Sequence, residues 1–202
     1  MEGITFYWFM WFFWIITTFI LNKQNPYRFK LSIAILVIMI LSPYSVALLR
    51  VPFSLAVLCM MCFVYTAAIR MSWRVLIYFL ISSTIVTLAY VSFELFQLFD
   101  PVWVMFHHDW MLAFAIVYIT IMLQENHQLR MMTMLSGAIQ GEILYAIVLK
   151  KFNFLYAIGS FAFLDVAAIG VSFLLAWWGM EYLAKYFEKH INQLAREKQK
   201  LS

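Results

Sequence analysis

Three carboxylates stand inside apolar runs of this sequence: Glu94 in "STIVTLAYVSFELFQLF", Glu142 in "SGAIQGEILYAIVLKK" and Asp165 in "FAFLDVAAIGVSF". Each lies on a small or polar helix face. Ser83, Thr87, Tyr90, Glu94 and Gln97 follow one another at +4, +3, +4, +3, which aligns all five along one side of a helix. Thr133, Ser136, Gly137, Gln140 and Gly141 make a second such stripe with Glu142 at its edge. Ala162, Asp165, Ala168, Ser172, Ala176 and Gly179 make a third. A charge at mid-bilayer costs at least about 2.5–3.5 kcal/mol, so such acids face a bundle interior and mark pathways, relays or ligand sites. The plainer alternative is that the carboxyls tie helices together, through bonds worth only about 0.6 kcal/mol on average. The imbalance favours a polar cavity, with Glu94, Glu142, Asp165, Gln140 and Tyr90 as pathway candidates. Gly137 and Gly141 form a GxxxG pair, which lets a neighbouring helix backbone approach closely. Packing within the chain is the expected use of that pair, and a dimer face is the alternative.

Other residues carry weaker chemistry. His107, His108 and Asp109 form an "HHD" triplet near Glu94 and Asp100. Imidazole and carboxylate suit zinc, yet adjacent histidines on a helix diverge by about 100° and cannot readily share one ion. The triplet therefore reads as an outer interfacial cluster, titratable near neutral pH. Cys59 and Cys62 in "CMMC" lie one turn apart with Thr66 on the same face, and a single CxxC without further ligands predicts packing instead of metal. Neither a P-loop nor an HExxH or GxSxG pattern occurs. A non-enzymatic chain without metal or cofactor is the expectation.

Composition defines what positions these residues. Of 202 residues, 65% are hydrophobic and 12% charged, far from the roughly 45–50% and about 25% of soluble domains. The 20 Phe, 11 Tyr and 8 Trp suit a surface that meets lipid. The net charge of +4 flanks apolar runs without forming a basic face, which argues against nucleic acid.

A helix needs about 20 mostly apolar residues to cross the hydrocarbon. Charged breaks then predict seven spans at 4–21, 29–48, 51–69, 75–97, 105–124, 131–149 and 154–179. The opening run reads as a retained first helix, because it lacks the basic start and cleavage site of a signal peptide. Pro43 and Pro52 leave the 29–69 pair open, and the aromatic entrance "FDPVWVMFHHDW" leaves the fifth span free to be interfacial or re-entrant. The expected fold is thus an all-α polytopic transmembrane helical bundle over 1–180, followed by a basic amphipathic cytoplasmic tail helix over 181–202. Lys23, Arg28, Lys30, Arg70, Arg74, Arg130, Lys185, Lys189, Arg196, Lys198 and Lys200 share one side, against Arg50, Lys150 and Lys151 on the other. Basic residues gather on the cytoplasmic face, so the N-terminus is expected outside and the C-terminus inside. In the tail, Leu183, Phe187, Ile191 and Leu194 keep helical period, which suits anionic lipid, a partner helix or a solvated extension.

The opening "MEGITFYWFMWFFWIITTFIL", the adjoining "NPYRF" and the short all-helical layout resemble the YphA-like membrane proteins of spore-forming Gram-positive bacteria. The resemblance implies a multi-pass protein of the bacterial cytoplasmic membrane, in an envelope or sporulation context, and brings no catalytic residues. Two functions lead, and a membrane enzyme using His107, His108 and Asp109 at the outer face ranks below both. The first is a non-enzymatic protein embedded in the bilayer that acts through a membrane protein partner or as a homo-oligomer, with tail and GxxxG face as docking surfaces. The alternative is a small proton-coupled transporter or permease whose pathway passes Glu94, Glu142 and Asp165.

Overall fold

The protein is described by a computed structural model. It covers residues 2–22, 27–48, 51–100, 102, 107–154 and 156–201, with Tyr27, Leu48 and 191–201 as backbone. The expected turn charges Lys23 and Arg50 lie outside the described residues.

Seven α-helices occur among the described residues: α1 Ile4–Ile15, α2 Tyr27–Leu41, α3 Leu55–Ala68, α4 Trp73–Phe99, α5 His108–Leu123, α6 His127–Lys151 and α7 Phe161–Leu201. A π-helical turn, Ile16–Ile20, extends α1. By length and hydropathy, α4, α6 and α7 as far as His190 are candidate membrane spans. Ile4–Ile20, α3 and α5 are shorter apolar helices, and α2 has 15 residues, about 22 Å of rise.

Two expected spans are cut short by the prolines. The predicted helix over 29–48 ends at Leu41, because Pro43 has no N–H to continue the ladder and disfavours helical backbone at Ser42. Ser42 Oγ closes the end by donating to the Met39 carbonyl at 2.9 Å. The chain then turns into an antiparallel hairpin, β1 Ser45–Leu48 and β2 Val51–Ser54, in which Val46 faces Phe53 and Ala47 faces Pro52. The predicted span 51–69 is correspondingly trimmed to α3. The predicted span 154–179 starts late, at Phe161, since Asn153 at φ 61° and Gly159 at φ 76° take left-handed conformations that a helix cannot contain.

The connection between α6 and α7 docks on the hairpin. Ser54 N donates to Ile158 O at 3.0 Å, and Ile158 N donates to Pro52 O at 2.9 Å. This gathers the start of α1, the hairpin, the end of α4, the start of α5 and the α6–α7 connection at one end of the bundle. At the other end Arg28 donates to the Thr18 carbonyl, and Tyr78 Oη donates to the Leu123 carbonyl at 2.5 Å. Between the ends α6 is the central helix, packed on α3, α4, α5 and α7, while α1 lies against α2 and α7. Large side chains such as Trp8, 76% exposed, and Phe29, 74% exposed, point outward.

Candidate functional site

The polar seam of α4 meets the small-residue stripe of α6. Ser83 Oγ donates to Ser136 Oγ at 3.0 Å. Thr87 Oγ1 lies 2.9 Å from the Ser83 carbonyl and 3.1 Å from the Gly137 carbonyl. Gln140 Nε2 donates to Tyr65 Oη at 2.8 Å and to Ser136 Oγ at 3.0 Å, which brings α3 into the same network. The contact is close because Gly137 and Gly141 present no side chain. A Cβ at Gly137 would stand 2.6 Å from Val86 Cβ, and one at Gly141 would stand 2.7 Å from Tyr90 Cδ1. The GxxxG face is therefore covered by α4 of the same chain. Packed in this way the two glycines are not open to a partner, which corrects the alternative use of this face as a docking surface.

Glu142 is fully buried and has three partners. Tyr90 Oη donates to its Oε2 at 2.7 Å. Tyr156 Oη and Gly159 N–H donate to its Oε1 at 3.0 and 3.2 Å. Burial, and then the negative field of Glu142, holds the Tyr156 phenol well above its ordinary range, so it stays a proton donor. The carboxylate thus latches the α6–α7 connection, and through Ile158 the hairpin, onto the helices.

Asp165 does something else. It accepts from Gly3 N–H and Phe6 N–H, each at 2.6 Å, across 162 and 159 positions of sequence. The first N–H groups of a helix have no partner within it, so Asp165 of α7 serves as the N-terminal cap of α1. Gly3 allows this at φ 88°, with the Phe161 ring 2.7 Å from where a Cβ would be. We expect Asp165→Ala to destabilise the fold by about 1–2 kcal/mol, the usual worth of a cap. Amide hydrogen exchange over residues 3–7 checks it: faster exchange there with Asp165→Ala, and less with Asp165→Asn, is the expected pattern.

Glu94 faces the triplet at the start of α5. His108 Nε2 lies 3.3 Å from Glu94 Oε1, an ion-pair distance, although the angle gives Nε2 no hydrogen bond. His108 Nδ1 contacts Asp109 Oδ1 at 3.1 Å, and His107 Nδ1 lies 3.5 Å from Asp109 Oδ2. Asp109 and Glu94 are mostly covered, whereas His107 is 73% exposed. The three acids are thus engaged by three different partners: the α6–α7 connection for Glu142, the start of α1 for Asp165 and His108 for Glu94. Among the described residues no group of three or more His, Cys, Asp or Glu is arranged to hold a metal ion. Cys59 is half-buried and Cys62 exposed, both as free thiols.

A further cluster escaped sequence reasoning. Arg130, legible in the sequence only as a flanking charge, is 9% exposed. Its Nε donates to the Gln124 carbonyl at 2.6 Å and its guanidinium to Glu181 Oε1 at 2.7 Å. Trp177 Nε1 donates to the same oxygen at 2.5 Å, and Gln124 Nε2 reaches Ser82 Oγ at 3.2 Å. The network joins α4, α6 and α7 at the end opposite Glu142. The one available signal was the lone glutamate four residues after Trp177, at the end of an apolar run.

Long apolar helices around a hydrogen-bonded polar interior, with aromatic rings facing outward, define an integral membrane helical bundle. The model of the YphA-like integral membrane protein family matches residues 2–200, and the chain belongs to that family. It is 34% identical over 189 residues to "Uncharacterized protein YphA" of Bacillus subtilis (strain 168), covering 91% of each chain. No solved structure matches it.

Proposed function

We propose that this chain is a seven-span, non-enzymatic protein of the bacterial cytoplasmic membrane, N-terminus outside and C-terminus inside, that acts by docking a partner on the tail of α7. An envelope or sporulation context goes with this reading. The alternation of connections between the two bundle ends supports the topology, as does the basic excess at the end that holds Arg28, Arg70, Arg74 and Arg130.

One observation carries the docking role. α7 runs unbroken to Leu201, twenty residues past Glu181, the last α7 residue tied to the bundle by a hydrogen bond or ion pair among the described residues. Beyond that tie, Tyr182, Leu183, Tyr186 and Phe187 are exposed, and this rod, about 30 Å of helix, can stand clear of the hydrocarbon. An apolar face that continues past the last tie to the bundle, with nothing among the described residues covering it, is the mark of an interaction surface. The proton-coupled pathway past Glu94, Glu142 and Asp165 is not adopted, because each acid is occupied by a different part of the fold.

Truncation after Glu181 tests the reading. The shortened chain is expected to insert and fold as the full chain does, and to lose the cross-linked neighbours that the full chain captures in its native membrane. An unchanged set of neighbours would remove the tail from the function.

A further inference from the structure

The tail combines a spacing and a direction. Met180, Ala184, Phe187, Ile191, Leu194, Lys198 and Leu201 follow at +4, +3, +4, +3, +4, +3, so three heptads of a and d positions run down one side of the α7 backbone. Met180, Ala184 and Phe187 are exposed, so nothing within the chain covers the start of this stripe. Lys185, Lys189, Arg196 and Lys200 fall at b, c or f positions, which point away from such a seam. Leu183, at a g position and exposed, widens the apolar side at its bundle end.

The direction excludes the membrane surface as the occupant. Sharp kinks arise at proline, glycine pairs or inserted side chains. No proline occurs in 161–201, and the glycines Gly170 and Gly179 both precede the tail in continuous helix. The tail therefore continues along the axis that Trp177, Glu181 and Arg130 anchor, and its later heptads leave the headgroups behind.

We propose that the occupant is a second copy of this chain, the two tails winding into a parallel two-stranded coiled coil; this rests on the tail being the docking surface. Two copies inserted with the same orientation bring their tails together in parallel, as the heptad requires. Lys198 at a core position sets register and favours two strands at some cost in stability. Confinement to one membrane face raises the effective concentration of the tails, which offsets the shortness of three heptads.

The test uses the full chain in native membranes, with Cys59→Ala and Cys62→Ala as background. Phe187→Cys and Ala184→Cys lie on the seam, the latter changing little in size, and Lys189→Cys lies opposite. On copper-phenanthroline oxidation the two seam variants are expected to give a disulfide-linked species of twice the monomer mass, several-fold more abundant than with Lys189→Cys. Equal yields from all three, or no dimer from either seam variant, would overturn the coiled coil. A photo-crosslinking residue at Glu188, an e position that flanks the seam, separates the two levels of the claim. Products of another mass only would leave the docking role standing and remove the second copy, and no product of any mass would remove both.

Discussion

Gly141→Leu is expected to leave the chain unable to assemble the α4–α6 pair. Even a methyl group there would stand 2.7 Å from Tyr90 Cδ1 and 2.8 Å from Tyr90 Cβ, well inside van der Waals contact. Relief requires either that Tyr90 swing away or that the two helices part. The first breaks the 2.7 Å bond to Glu142, and the second breaks the bonds that Ser83 and Thr87 make across the seam. Overpacking alone costs typically about 1–3 kcal/mol, and the lost bonds add to it, so a destabilisation above about 3 kcal/mol is expected. Size-exclusion profiles of detergent-solubilised protein check this: Gly141→Leu should run as aggregate, and Gly141→Ala should retain a reduced folded peak. A folded peak of wild-type height for the leucine variant would mean that α4 and α6 are not in close contact. The same substitution at a glycine used only between copies would leave the monomer intact.

Glu142→Leu should rank next. It preserves bulk but strands two hydroxyls and one amide, those of Tyr90, Tyr156 and Gly159, in a fully buried place. An orphaned buried polar group costs about 1–3 kcal/mol, which puts the expected loss at about 3 kcal/mol or more. Glu142→Gln keeps acceptor capacity at one position and should fall between. Adding Tyr90→Phe and Tyr156→Phe to Glu142→Leu removes two of the stranded groups, so the triple variant should recover part of the loss. Thermal unfolding in detergent gives the order, and hydrogen exchange over 156–160 should accelerate with Glu142→Leu. A triple variant no more stable than Glu142→Leu would show that the three bonds do not act as a unit.

These two predictions draw on features that differ in how far they could be read. The α4 seam was legible because a helix repeats its faces at three and four residues, and the α6 stripe likewise. The glycine pair was legible as a packing face, since GxxxG states what it lacks. The hairpin was not legible: "SVALLRVPFS" is apolar on both sides of its turn, and a continuous apolar run has no period to separate strand from helix. Arg130 and Glu181 were not legible as a pair, because 51 positions separate them and each alone is an ordinary boundary charge.

The sequence by itself determined a membrane bundle of helices, the extent of α4 and α6 to within a few residues, and the placement of its buried acids on small or polar faces. Apolar length and helical period are local properties, written in neighbouring residues. Only the tertiary structure decided what those acids are for in the fold: Glu142 latches a connection through a glycine 17 positions away, and Asp165 caps a helix 162 positions away. A hydrogen bond is specific in space and silent in sequence. Where the low dielectric of a membrane makes every buried polar group seek a partner, the choice among partners belongs to the packing of the helices.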